Sequence, residues 1–228
     1  MGEPEGDPKA AFVSVKSTLP IFPRSSERQD FATERLIIRP FRQEDLEGLH
    51  GLRTQIEVMV NTGQGRNDRD RDETQKKLEL HLPPNDLTTF NCAILDRASG
   101  AFIGSGGCHR IAAGFGWPEI GYMFRTEYWG KGLATEFVRG FLELYVKLPR
   151  REAEVLVHPA TVAAGAERSE ELLVALTTYD NVQSQRILAK AGFERFLEFT
   201  EPDLRDPSVN VGLYGFRWYP TRGAKGGD

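Results

Sequence analysis

Hydrophobic positions along the chain alternate between two periods. Glu34-Arg-Leu-Ile-Ile-Arg39 is a β-branched run stopped by Pro40 and predicts a strand. Leu46, Leu49 and Leu52 recur at helical spacing. Asp70, with Glu73 three residues on, predicts a helix start ahead of Leu78 and Leu82. Thr88–Asp96 and Ala101–Arg110 read as a hairpin about the Arg97-Ala-Ser-Gly100 turn, and Glu119–Arg125 as the next strand after a turn at Gly114–Pro118. Leu133, Phe137, Phe141, Leu144 and Leu148 predict a long amphipathic helix ended by Pro149. Glu152–His158 and Leu172–Tyr179 are both strand-like, with an Ala/Gly-rich insertion between them. Asn181–Ala191 predicts a short helix closed by Gly192, and Phe193–Phe199 with Val209–Tyr219 an antiparallel pair. The order β-αα-βββ-α-β-α-ββ implies an α/β chain, a mixed sheet with helices on its faces.

The pattern also divides the chain. Residues 1–30 are rich in Pro, Ser and charge and form an extension, whose Phe12-Val-Ser-Val and Leu19-Pro-Ile-Phe segments are apolar enough to dock as an extended arm. Residues 31–220 form one domain with an insertion at about 159–171, and 221–228 a flexible tail. Composition fits a globular protein, 39% hydrophobic and 27% charged over 228 residues. No apolar run approaches the roughly 18 residues of a membrane span, and the acidic first residues lack an apolar signal segment, so a cytoplasmic protein without membrane contact is expected. Gly2 is only a weak myristoylation signal among those acidic neighbours. Cys92 and Cys108 sit in apolar strand-like runs and read as buried thiols. The net charge of −4, with no basic stripe, argues against nucleic acid as a ligand. His50, His81, His109 and His158 show no metal-ligand spacing and read as structural or surface groups; no metal is expected.

Chemistry concentrates where the strand Glu119-Ile-Gly-Tyr-Met-Phe124 gives way to the helix. Gly130, Lys131, Gly132, Leu133, Ala134 and Thr135 make a turn whose backbone N–H groups lie free of bulky side chains, at a helix start that adds its own unpaired donors and partial positive charge. Such a place holds a phosphate group. A dinucleotide loop fits less well: Thr135 stands where the third glycine belongs, and no parallel βαβ unit opens the chain. A purely structural glycine turn is the remaining alternative.

Three motifs in fixed order, EIGYMF, then YWGKGLATE, then Asp180-Asn-x-x-Ser-Gln-Arg-Ile-Leu-x-Lys-Ala-Gly-Phe193, give the chain a resemblance to the GNAT superfamily of acyl-CoA-dependent N-acetyltransferases, and within it to the RimJ/RimL-like branch. The resemblance spans roughly Thr33 to Tyr219. It implies a mixed, mostly antiparallel sheet of six to seven strands, helices on both faces, splayed at the acetyl-CoA site. The family's pyrophosphate loop opens with Gln or Arg; Trp129 stands there, which implies that backbone N–H groups from Gly130 to Thr135 hold the phosphates. Met123 and Phe124 would bond the pantetheine through their backbone, with Gly121 as a bulge and an N–H near Met123 as oxyanion donor.

The resemblance implies Glu119 as general base, acting through water, although a glutamate opening a strand also suits a solvated surface. The tyrosine that many members use as acid is replaced by Leu188, so Ser184 is assigned to the thiol side and Asn181 to the cofactor; both also suit plain helix capping. A water-relayed carboxylate serves an α-amine, which titrates near ~8, better than a lysine near ~10.4. The segment Glu57–Arg71 lies where the family shapes its acceptor site, or is a solvated loop. The expected activity is transfer of acetyl from acetyl-CoA to a primary amine, on a protein N-terminus or a small molecule, by a monomer or homodimer. The alternative is a non-catalytic acyl-CoA sensor or scaffold.

Overall fold

The computed structural model describes residues 11–223. In chain order the strands and helices are β1 (Val13–Pro20), β2 (Phe31–Ala32), β3 (Leu36–Arg39), α1 (Leu46–Arg53), α2 (Ile56–Met59), α3 (Arg71–Glu79), β4 (Phe90–Asp96), β5 (Phe102–Arg110) and β6 (Glu119–Phe124). They continue as α4 (Leu133–Lys147), β7 (Arg150–Val157), β8 (Leu173–Thr178), α5 (Val182–Lys190), β9 (Glu194–Pro202), β10 (Asn210–Trp218) and α6 (Pro220–Gly223). The expected terminal tail lies largely outside the described residues, as do the acidic start and Gly2. Two compact units emerge: one gathers residues up to Ile21, Arg110–Ile120 and Leu142 onward, the other Phe22–His109 and Gly121–Phe141.

In the first unit the N-terminal arm is a full strand. β1 pairs antiparallel with β7 from Val13 opposite Val157 to Pro20 opposite Arg150. Its other edge is met by the insertion, where Lys16 N–H donates to the Glu167 carbonyl (2.8 Å) and Ser169 N–H to that of Lys16 (3.0 Å). Beside this ribbon β8, β10 and β9 run antiparallel in that order. β6 and β8 share one parallel pair, Glu119 with Val174, where an unbroken sheet would carry several. Val15, Leu19, Phe115, Trp117, Val155 and Phe199 are buried in a common core. Glu171, 3% exposed, is held by Tyr145 Oη (3.0 Å), Arg150 Nε (3.0 Å) and Thr18 Oγ1 (3.1 Å). Burying that carboxylate is tolerable because every partner donates to it.

In the second unit the strands run β2-β3-β4-β5-β6, the first four antiparallel. Side chains alternate across β6: Tyr122 faces the Phe137 ring of α4 (6.4 Å), while Met123 packs with Leu49, Leu52, Val58 and Leu78 of α1–α3. Helices therefore cover both faces. Asp70 caps α3 as its spacing predicts, accepting from Glu73 N–H (2.8 Å). In α4 the buried series is Leu133, Phe137, Phe141 and Tyr145, so the fourth position of the stripe is Tyr145 and not Leu144. Gly140 lets that helix approach β3, since a Cβ there would stand 3.2 Å from Ile38 Cδ1. Among the described residues ten strands form, two of them in the separate β1–β7 ribbon, against the six to seven expected for the sheet.

Candidate active site

The glycine turn takes the shape its composition predicts. Gly130 and Gly132 adopt left-handed backbone (φ 71° and 78°), a conformation costly for side-chain-bearing residues, and α4 begins at Leu133. Among the described residues the N–H groups of Gly130 to Thr135 donate no hydrogen bond, while Glu136 N–H already bonds the Gly132 carbonyl (3.1 Å). These are the unpaired donors of a helix start, preceded by a turn. Trp129 turns its ring away from that role: its Nε1–H donates to the Phe124 carbonyl (2.7 Å) and pins the turn to the end of β6. Lys131 Nζ lies over the Tyr128 ring (5.2 Å), and a pocket of about 600 Å³ beside the loop is lined by both, with Arg35, Arg97 and Leu133.

Two further groups brace the loop, and neither was singled out in the sequence. Glu136, in the first turn of α4, accepts from Thr33 Oγ1 (2.6 Å), Arg35 N–H (2.8 Å) and Arg35 Nε (2.7 Å), and Arg35 Nη1 reaches the Lys131 carbonyl (2.9 Å). Burial opposes its charge, but these donors hold the carboxyl below its ordinary pKa. Gln55 joins the start of α2 to the turn at Thr126–Tyr128: its Oε1 accepts from Thr126 N–H (2.8 Å) and its Nε2 donates to Glu127 (2.9 Å). That amide, with Arg125 nearby, draws the Glu127 carboxyl down to about 2.

The segment Glu57–Arg71 is not wholly a solvated loop. Asp68 is 4% exposed and accepts from Arg53 Nε (2.7 Å), Arg53 Nη2 (2.9 Å), Gln64 Nε2 (2.8 Å) and Thr74 Oγ1 (2.8 Å). Burial disfavours its charge, yet these donors keep it below the usual carboxylate range. His81 stacks on Phe41 (4.8 Å) and meets the Asn91 amide (3.4 Å). Burial first, then the His109 and Arg53 charges, push His81 down to about 4. His109 in turn stands 3.3 Å from where a Cβ on Gly121 would lie.

Of the other expected site residues, Met123 and Phe124 lie in the second unit, and Glu119, Asn181 and Ser184 in the first. Glu119 opens β6 half-buried, and it helps raise the pKa of Glu201, whose own burial is the larger cause. Glu201 follows Leu197 and Phe199 on one face of β9, a signal that period-2 reading of that strand offers. Asn181 caps α5, its Oδ1 accepting from Ser184 N–H (3.1 Å), and Ser184 is half-buried in the first turn. Leu188 is fully buried. Cys92 and Cys108 are both buried, and burial pushes the Cys92 thiol up to about 12, which disfavours its thiolate. Among the described residues no group of three or more His, Cys, Asp or Glu could hold a metal. No helix there is long and apolar enough to cross a membrane.

Comparison with known proteins gives this arrangement a context. The family model "Acetyltransferase (GNAT) domain" matches residues 35–194, more than half of the chain. An acetyltransferase of the GNAT family from Bacillus anthracis is similar over 85% of this chain and 99% of its own, with TM-score 0.64 and 19% identity. Spermidine N-acetyltransferase from Vibrio cholerae, solved with CoA and spermine, matches with TM-score 0.64 at 13% identity over 85% and 100% of the two chains. A ribosomal-protein-S5-alanine acetyltransferase from Vibrio fischeri matches with TM-score 0.60 at 16% identity over 85% and 97%. These structures share the fold; the motifs and the family match go further. The chain belongs to the GNAT acetyltransferase family and is an N-acetyltransferase.

Proposed function

We propose that the protein transfers an acetyl group from acetyl-CoA to a primary amine, a protein N-terminus or a small molecule, as a RimJ/RimL-like enzyme acting without a covalent intermediate. The observation that carries the reading is the turn from Gly130 to Thr135, which presents unbonded N–H groups at the start of α4 and suits a pyrophosphate. Met123 and Phe124 lead into that turn and would bond the pantetheine through their backbone, with an N–H near Met123 facing the acetyl carbonyl. Asn181, which caps α5, is assigned to the cofactor by the family resemblance.

Glu119 takes the amine proton through water, the amine attacks the thioester carbon, and the C–S bond breaks with Ser184 serving the departing sulfur. We take residues 31–220 as the catalytic domain, cytoplasmic, acting as monomer or homodimer, with residues 1–30 as its extension.

Titration calorimetry with acetyl-CoA, followed by a free-thiol assay over an amine panel, tests the reading. Binding together with amine-dependent thiol release is expected; binding without release by any amine leaves a non-catalytic acyl-CoA sensor. Glu119→Gln is expected to lower turnover by ~100-fold or more while leaving acetyl-CoA affinity in place. An unchanged rate at every pH removes Glu119 as base.

A further inference from the structure

We infer that Gln55 is a positioning residue for the donor loop: its amide transmits the placement of α1 and α2 to the turn that leads into Gly130–Thr135. The inference rests on the reading of that turn as the pyrophosphate cradle. An amide can face two ways, but here the neighbours choose. Thr126 N–H can only donate and the Glu127 carboxylate can only accept, so Oε1 must face the first (2.8 Å) and Nε2 the second (2.9 Å). One side chain thus satisfies the leading N–H of the turn and orients its acid. The other two fastenings are local: Arg125 Nη2 holds Glu127 Oε1 (3.1 Å), and Trp129 Nε1 holds the Phe124 carbonyl (2.7 Å).

Gln55 reaches this turn from a distant part of the chain, as Arg35 reaches the Lys131 carbonyl (2.9 Å): it sits between Thr54 at the end of α1 and Ile56 at the start of α2. Three residues separate Glu127 from Lys131, so a shift of the turn moves the phosphate-facing N–H groups directly. A loop that binds by backbone alone depends on where its backbone is held.

The bridge allows an exchange test. Gln55→Ala removes both bonds. Gln55→Glu sets two carboxylates together. The double variant Gln55→Glu with Glu127→Gln reverses donor and acceptor, and restores both bonds while Thr126 N–H keeps its acceptor. In the full chain, acetyl-CoA affinity by calorimetry and amide hydrogen exchange over 126–135 are measured for all four proteins. Each single variant is expected to weaken acetyl-CoA by ~10-fold, the scale of one net hydrogen bond, and to speed exchange in 126–132. The double variant recovers both readouts, which a merely structural role would not produce. Single variants that bind and exchange like the parent, or a double variant without recovery, overturn the inference. If the parent protein binds no acetyl-CoA, the donor reading fails, and exchange over 126–132 alone then decides whether Gln55 positions the turn.

Discussion

His81 and Asp68 show opposite solutions to burying a titratable side chain in the same helical layer. Burial and neighbouring positive charge push the His81 imidazole from 6.5 to about 4, so it is neutral in the folded protein at pH 7. A base whose folded pKa is lowered contributes stability above its unfolded pKa and loses it as pH falls from about 6.5 toward 4. The shift corresponds to at most about 3 kcal/mol over that window. Urea unfolding at pH 7 and pH 4.5 should show this loss, and His81→Phe should reduce it. Asp68 is instead kept charged by Arg53, Gln64 and Thr74, so its contribution is present above 3.8 and fades below. Asp68→Ala leaves Arg53 buried without its partner and should cost ~3–5 kcal/mol by urea unfolding at pH 7. Composition made the charges of this segment visible, but a string of Arg and Asp does not say which one turns inward.

Among the elements, those with strong local signals appear where the residue pattern places them. The Asp70 and Asn181 caps, the Gly192 terminus (φ 89°) and the Gly130 and Gly132 turn each depend on residues within one helical turn. Tyr145 replaced Leu144 in the α4 stripe because its hydroxyl finds Glu171, a partner 26 residues away. Glycines with the same backbone angle are predicted to respond differently to substitution. At Gly132 a Cβ meets nothing nearer than Arg35 Nη2 at 3.6 Å, so Gly132→Ala carries mainly the left-handed backbone cost, ~1–2 kcal/mol, and should weaken acetyl-CoA more than it lowers the melting temperature. At Gly116 (φ 79°) a Cβ runs into the Leu156 carbonyl, so Gly116→Ala should destabilise further, read as a larger fall in thermal midpoint.

At the scale of the molecule, the N-terminal arm is the least expected part. Its apolar residues suggested a docked segment. In the structure it completes an eight-residue ladder with β7 and buries Val15 and Leu19. Removing residues 1–21 should therefore lower stability by ~3–6 kcal/mol, the scale of two buried aliphatic side chains, measured as a shift in urea midpoint. An unchanged midpoint would reduce the arm to an appendage. By itself the sequence determined most of the strands and helices, the Asp70 and Asn181 caps, the glycine turn and, through three ordered motifs, the family. All of these are encoded within a few residues of one another, where backbone geometry and hydrophobic period act directly. Tertiary structure alone decided that Gln55 and Glu136 would brace the loop, that Asp68 would be buried, and that β1 would choose β7. Each of those outcomes joins residues far apart in the chain, and nothing local in a sequence fixes which distant donor meets which acceptor.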